Sequence, residues 1–378
     1  MHILHIINGL NNGGAEAVLY RLTTADKENT HQVISLMDLG VYGERLTKAD
    51  VPVHTLNMPR GRVTIKGVLN LYRIIRSISP DVVQTWLYHA DLVGGVVARI
   101  AGNRAVIWSI RASYLAEGKT SRTTLLVRWM CARISSVIPR RIVFNSNSGV
   151  HVHVALGYDS KKIGVIPNGY DTNQIQPDEN TRSVLRNSWG IQPNQVLFGM
   201  VGRWDPQKDH ANLIAALSQL DSRKVQDWRC VLVGPEMSNV NAALVALIDQ
   251  RNLHDRFLLL GPSSVIPAVM NAIDLHVLSS AYGEAFPNVV AEAMACGTPC
   301  VVTDVGDAGL IVGLTGWVVP HSDSVALARA VQEATVEMTN IAKWEKRKAL
   351  CRLRICEKFS LERMLISYRK IWLEAVNA

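Results

Sequence analysis

The feature that most restricts how this chain can fold is an alternation, run through twice, of short apolar strands with longer helix-period segments. Residues 2–8, 31–37, 51–56, 82–85 and 106–110 read as strands, with helical stretches such as 15–24 and 63–78 between them. A second series begins after residue 190. There 196–201, 229–233, 257–260, 275–278 and 299–302 read as strands, separated by helical stretches such as 211–220 and 289–295. Runs this rich in Val, Ile and Leu suit parallel strands covered on both faces. Two consecutive series predict an α/β protein of two doubly wound domains, and 378 residues accommodate two cores.

The seam is legible as well. Residues 163–171, Ile-Gly-Val-Ile-Pro-Asn-Gly-Tyr-Asp, carry turn chemistry, and a polar stretch, 174–187, follows. This gives a first domain at 1–165, a linker at 166–188 and a second domain at 189–357. Near the end, Leu361, Met364, Leu365, Tyr368, Ile371 and Trp372 recur at three- and four-residue spacing, which predicts an amphipathic helix over 358–378.

Composition excludes several classes. Hydrophobic residues make up 48% and charged residues 19%, as in an ordered globular protein. No uninterrupted apolar stretch approaches the about twenty residues that a membrane-spanning helix needs. The opening Met1-His2-Ile3-Leu4-His5-Ile6-Ile7 reads as a strand and not as a secretory leader. Cys296 and Cys300, and Cys351 and Cys356, have no second half with zinc-site spacing, so the six cysteines read as free thiols in a reducing compartment, the cytoplasm. The net charge of +8 is uneven: residues 1–180 hold 20 Lys/Arg against 13 Asp/Glu, and residues 181–378 hold 20 against 19. A basic first half suits an anionic partner, whether membrane surface, phosphorylated acceptor or nucleic acid, and equally suits a solvated face. No basic-and-aromatic stacking motif supports the nucleic acid.

Chemistry concentrates in the second series. Residues 279–299 run from a strand end through a loop bearing Glu284 into a helix that starts after Pro287 and carries Glu292. Pro287 fits a helix's first turn, and the amides of Asn288, Val289 and Val290 would be donors at a positive dipole end, suited to a diphosphate. A carboxylate in the apolar run around Glu292 needs partners, such as ribose hydroxyls. Directly after the strand 196–201, Arg203 and Lys208 flank a turn. An Arg fork and a Lys point charge would offset the charge that grows on a departing pyrophosphate. In the first series, Gly13 and Gly14 precede a helix and let a substrate approach its N-terminus. Gly9 to Gly14 reads G-x-x-x-G-G, which is not the dinucleotide fingerprint.

These pieces, Asn12-Gly13-Gly14-Ala15-Glu16, Ile166-Pro167-Asn168-Gly169-Tyr170-Asp171, Gly202-Arg203 with Lys208, and Glu284-x7-Glu292, resemble the retaining GT-B glycosyltransferases of family four, in particular bacterial enzymes of surface-polysaccharide and lipopolysaccharide synthesis. The resemblance runs from Met1 to the last helix. It implies two Rossmann-like domains facing a cleft, with the C-terminal helix crossing back to the first. It implies that Arg203 and Lys208 hold the donor diphosphate, Glu284 the sugar hydroxyls and Glu292 the ribose. It further implies that Phe286, Pro287, Asn288 and Val289 contact sugar and phosphate, and that the base lies near Gly261 and Val265. The family's first-domain histidine is replaced: the matching stretch is Trp108-Ser109-Ile110-Arg111-Ala112-Ser113, and Arg111 cannot act as a base. His89 is a second acceptor-side candidate beside a structural reading.

The expected activity is hexosyl transfer with retention from a nucleotide-diphosphate sugar, uridine before guanosine, to a growing polysaccharide or a lipid-linked saccharide. The expected setting is the cytoplasm, with an anionic membrane surface as an open partner at its inner face. No D-x-D occurs, so neither metal nor cofactor is expected. The alternatives are an epimerase or phosphorylase on the same fold, or a non-catalytic sugar- or nucleotide-binding protein.

Overall fold

The computed structural model describes residues 1–11, 13–111, 120–221, 225 and 227–377; Asn12 of the glycine motif, and Ala112 and Ser113 beside Arg111, lie outside them. The chain divides into two units, Met1–Gly169 with Leu361–Ala378, and Tyr170–Ser360.

In the first unit, strands β1 (His2–Ile7), β2 (Thr30–Ser35), β3 (Val53–Thr55), β4 (Val82–Trp86), β5 (Val106–Ile110), β6 (Arg141–Phe144) and β7 (Ile163–Val165) form one parallel sheet in the order β3-β2-β1-β4-β5-β6-β7. The pleat sends alternate residues to opposite faces. Ile3, Ile7, Val82 and Trp86 cluster with helices α1 (Gly14–Ala25) and α2 (Gly40–Lys48) and with the chain's last helix, α15 (Leu361–Asn377). Leu4, Ile6, Val83 and Trp108 cluster with α3 (Ile65–Ile78), α4 (Tyr88–Ile100) and α5 (Arg122–Ile134). Helix α6 (Asn147–Ala155) precedes β7. Leu365, Tyr368 and Trp372 put the apolar stripe of α15 into this unit's core, which is why the final helix belongs here and not to the unit before it in sequence.

The second unit repeats the plan. Strands β8 (Val196–Val201), β9 (Trp228–Val233), β10 (Phe257–Leu259), β11 (Leu275–Leu278), β12 (Cys300–Thr303) and β13 (Trp317–Val319) form a parallel sheet in the order β10-β9-β8-β11-β12-β13. One face packs on α10 (Ile266–Ala272), α11 (Asn288–Ala295), α12 (Ala308–Val312) and α14 (Ile341–Lys358). The other packs on α8 (His210–Leu217), α9 (Ala242–Asp249) and α13 (Ser324–Met338).

Within 166–188, the stretch expected to link the domains, the structure has a helix of the second unit, α7 (Glu179–Ser188). Its polar look has a cause: Arg182 and Arg186 reach Asp274 at 2.5 and 3.1 Å, and Asp274 accepts the Leu197 amide at 2.7 Å. Charged pairs, not apolar burial, tie α7 to its sheet. Among the described residues no helix is long and apolar enough to cross a membrane, and all six cysteines are free.

Candidate active site

In an open α/β sheet, ligands meet the strands' carboxyl ends where the strand order reverses. In the second unit that point lies between β8 and β11, so the loops following them, 202–209 and 279–287, flank it. The two loops are bonded to each other. The Ala281 amide donates to the Gln207 carbonyl at 2.8 Å, and Ser279 Oγ donates to the carbonyls of Lys208 and Asp209 at 2.9 and 3.0 Å.

These bonds bring Lys208 and Glu284 together. Lys208 Nζ donates to Glu284 Oε1 at 2.6 Å, and Ser280 Oγ donates to the same oxygen at 2.6 Å. Both charged side chains are largely shielded, at 12% and 8% exposure, so their attraction is screened far less than a surface pair's. Burial first, and then the Lys208 charge, lowers His276 to about 3 and His210 to about 4. Both rings are neutral at pH 7. Glycines shape the Glu284 loop. Gly283 has φ +75°, and a Cβ on Gly306 (φ +64°) would stand 2.2 Å from the Glu284 carbonyl oxygen. The Asp307 amide then donates to the Ala285 carbonyl at 2.9 Å, so the turn after β12 buttresses the loop from beneath.

Helix α11 starts at the end of this loop with Pro287 at its N-cap and no side-chain cap. Pro287 therefore stands one position before the first helical residue and not within the first turn. The Val290 amide, expected to be an open donor, is taken by the Pro287 carbonyl at 3.1 Å, a short turn closing the helix start. Asn288 is oriented by Tyr170, whose Oη donates to Asn288 Oδ1 at 2.5 Å. Phe286 is buried against Phe359 with ring centroids 5.4 Å apart, and Val289 packs on the same core. Glu292 is half-buried one turn into α11.

Arg203 behaves differently from Lys208. Its side chain is 56% exposed and folds onto its own loop, donating to Asp205 Oδ2 and Gln207 Oε1 at 3.3 Å each. The structure thus joins Lys208 to Glu284 while Arg203 bonds within its own loop. Gly261 (φ +67°) follows β10 and bonds the β9 loop, its carbonyl accepting the Gly234 amide at 2.8 Å. Val265, at the N-cap of α10, is exposed.

In the first unit the order reverses between β1 and β4. Gly13 is the N-cap of α1 and Gly14 its first residue, so both sit at the carboxyl end of β1. A Cβ on Gly13 would come 2.4 Å from Glu16 Oε2. At the end of β4, Leu87 has φ +73°, a conformation that costs a non-glycine residue about 1–3 kcal/mol and that concentrates at functional turns. It is held there by the Ser109 carbonyl, which accepts its amide at 3.1 Å. His89 follows, half-buried and lowered in pKa by that burial. Arg111, at the end of β5, is clamped by three groups. It donates to Asn168 Oδ1 and to Tyr368 Oη, the latter at 2.6 Å, and its guanidinium carbon lies 4.8 Å from the Trp86 ring centroid.

Ser280, Gly306, Tyr170 and the Trp86–Tyr368–Asn168 clamp touch the candidate residues in the structure and are not singled out as site groups by the sequence. A second hydroxyl beside a loop carboxylate was the only signal for Ser280; the others depend on distances across the fold.

Comparison with known proteins now bears on this geometry. Residues 12–174 match the Glycosyltransferase Family 4 model, and residues 181–348 match that of Glycosyl transferases group 1. The Escherichia coli UDP-Gal:alpha-D-GlcNAc-diphosphoundecaprenol alpha-1,3-galactosyltransferase is 25% identical over 316 residues, 82% of this chain and 80% of that one. The Bacillus subtilis putative glycosyltransferase EpsF is 23% identical over 320 residues, 80% of this chain and 79% of that one. Anabaena HepE, crystallised in complex with UDP, superposes with a TM-score of 0.85 at 24% identity, covering 98% of this chain and 99% of that one. Two open parallel sheets with reversed strand order, and one family match on each unit, lead to one conclusion: the chain belongs to the glycosyltransferases of the GT-B fold, Family 4 in its first unit and group 1 in its second.

Proposed function

We propose that this glycosyltransferase moves a hexosyl group, with retention, from a UDP-sugar to a lipid-linked saccharide or a growing surface polysaccharide, working peripherally at the inner face of the cell membrane. The observation that carries the donor side is the Lys208–Glu284 pair, buried at the second sheet's switch point beside the uncapped start of α11. An ammonium has three donors, and Lys208 spends one on Glu284. The others, with Arg203 and the α11 N-terminus, can stabilise a diphosphate as negative charge builds on its leaving oxygen. Glu284 grips donor-sugar hydroxyls, Glu292 the ribose, and the base rests near Gly261 and Val265.

No side chain is assigned as a nucleophile. In the mechanism we favour, the leaving group departs from, and the acceptor hydroxyl attacks, the same face of the sugar, and the freed phosphate oxygen takes the acceptor's proton. The cations then do the work that a metal does where carboxylates hold the diphosphate, so transfer proceeds without one. The Escherichia coli relative is named for a UDP-Gal donor and a diphosphoundecaprenol-linked acceptor, which supports uridine as the base and a lipid-borne acceptor.

Calorimetric and thermal-shift titration with UDP- and GDP-sugars tests the donor reading. A ligand at one hundred times its Kd adds about 2.7 kcal/mol to stability. UDP-sugars should raise the melting midpoint. Stabilisation by GDP-sugars alone would overturn the base, and by neither the donor reading itself.

A further inference from the structure

The positive charge of the first half is confined to part of it. Residues 51–158 contain 14 Lys/Arg and only 3 Asp/Glu, and one of those acids, Asp91, is fully buried. This region supplies α3, α4 and α5, which cover one face of the first sheet. Helix α3 uses Gly67, Leu71 and Ile75 as its inner stripe. It carries a second apolar stripe about a third of a turn away: Ile65 (83% exposed), Leu69 and Tyr72, with Lys66, Arg73 and Arg76 exposed alongside. Helix α5 repeats the arrangement with Leu126, Trp129 and Met130 exposed, and Arg133 lies over the Trp129 ring at 5.2 Å.

We infer that the outward faces of α3 and α5 dock the first unit on an anionic lipid leaflet. The core stripe of α3 is already satisfied, so the outer stripe is not needed for folding. A helix with apolar and aromatic residues flanked by arginines matches the boundary of a bilayer. The apolar groups enter between headgroups, Tyr72 and Trp129 sit at headgroup depth, and the basic groups meet lipid phosphates. A second copy of this chain is a poor occupant, because a two-fold contact would set the basic face against itself. Nucleic acid would use the charge but leave Ile65, Leu69 and Leu126 without purpose. The inference deepens the acceptor reading, giving the enzyme a place on the surface that carries a lipid-linked acceptor. Its test does not pass through transfer, so either can fail alone.

The experiment is co-sedimentation of the full chain with phosphatidylcholine vesicles, with and without about a third phosphatidylglycerol. Binding should require the anionic lipid and fall as salt rises. Removing one basic residue near the surface should weaken partitioning about fivefold. Lys66→Glu with Arg73→Glu should therefore abolish it at micromolar lipid, and Ile65→Asp should weaken it at every salt concentration. Arg329→Glu, an exposed site on the second unit, should leave it unchanged. Melting midpoints of the variants within a few degrees of the parent certify folding, as expected for exposed positions. Equal binding to neutral vesicles, absence of binding, or an Arg329→Glu effect as large as that of the α3 variants would overturn the inference. Retention on single-stranded DNA without vesicle binding would assign the face to nucleic acid and overturn it as well.

Discussion

Lys208 and Glu284 stand 76 positions apart in sequence and 2.6 Å apart in space, on the two loops that flank the second sheet's point of reversal. Removing one partner of a shielded pair strands the other, which costs about 3–5 kcal/mol. Glu284→Ala should therefore lose both turnover and several degrees of melting midpoint. Glu284→Gln keeps an acceptor for Ser280 and Lys208, so it should stay closer to parental stability while kcat still falls about a hundredfold or more. Lys208→Met should resemble Glu284→Ala. Melting curves and UDP-sugar turnover on the three variants check this, and a Glu284→Gln enzyme of near-normal rate would remove the carboxylate from the donor site.

Gly306 controls the same loop from below. An added Cβ would meet the Glu284 carbonyl at 2.2 Å and the Ala285 carbonyl at 2.9 Å, both backbone atoms that cannot step aside alone. Gly190 has nearly the same backbone, φ +67°, with open space around it. Gly306→Ala and Gly190→Ala share the cost of a left-handed backbone, about 1–2 kcal/mol. Only Gly306→Ala should also shift Glu284 and lower kcat/KM, by tenfold or more. Equal kinetic effects of the two would show that Gly306 acts through stability and not through the loop.

What the sequence makes legible follows from how local each signal is. The strands 106–110, 196–201 and 275–278 sit where their apolar runs are, because a fully buried parallel strand writes itself as such a run. Strands β6, β7 and β13 are four, three and three residues long; β6 and β13 are not among the stretches read as strands, and β7 lies in the stretch read as a turn. Each gains its place from a neighbouring strand already set, as Ile142 to Phe144 do from Trp108 to Ile110. Lys208 and Glu284 are conspicuous in sequence as charged residues beside strand ends. That they bond each other, that Arg203 turns to Asp205 instead, and that Val290 spends its amide on Pro287 are decided by loop geometry, which no periodicity encodes.

Acid should weaken both units. In the first, Trp86 Nε1 donates to His5 Nδ1 at 3.1 Å, so the His5 Nε2 proton faces His31 Nδ1 at 3.0 Å, and His31 Nε2 faces Asp26 Oδ2 at 3.1 Å. Burial first, then His31, holds His5 well below the usual range, against the pull of Asp26. His153 falls to about 4 chiefly through burial. With His210 and His276 in the second unit, four histidines are neutral when folded and take up protons near pH 6.5 when unfolded. Their stabilisation is complete above pH 6.5 and is lost as pH falls below it, by about 2 kcal/mol each between pH 7 and 5 for those near 4. His89, lowered by burial, adds to them, while Asp91, pushed well above the usual carboxylate range by burial, and Glu16, raised by burial, run the other way. Melting midpoints should drop steadily from pH 7 to 5, and His276→Phe should flatten the slope. A midpoint constant over that range would contradict the neutral, buried rings.

Because Lys208, Arg203 and the start of α11 are assigned the diphosphate, chelation should leave transfer untouched. Rates measured after exhaustive treatment with EDTA should stay within about twofold of the untreated enzyme, against the 10²–10³-fold loss expected from removing an electrostatic stabiliser. Activity lost to the chelator and restored by manganese would reassign the diphosphate to a cation.

Arg111 stands at the end of β5, where the resemblance in sequence leads one to expect a histidine, and its surroundings bear on what it can do there. Its guanidinium carbon lies over the Trp86 ring at 4.8 Å, while Asn168 and Tyr368 take hydrogen bonds from its two terminal nitrogens. A planar fork bonded at both terminal nitrogens over an indole is fixed in direction, and a lysine can reproduce the charge but not the fork. If Arg111 positions the acceptor, Arg111→Lys should raise the acceptor's KM about tenfold or more and leave the UDP-sugar KM near its parental value. Tyr368→Phe removes one hydrogen bond while keeping the ring in the core beside Trp372, so it should cause a smaller shift in the same direction. Because arginine stays charged at every working pH, neither substitution should move the acid limb of the pH–rate profile. Steady-state kinetics with each substrate varied separates the outcomes: a rise in donor KM alone would move Arg111 to the donor side, and a displaced acid limb would mean that a titrating group had been disturbed instead.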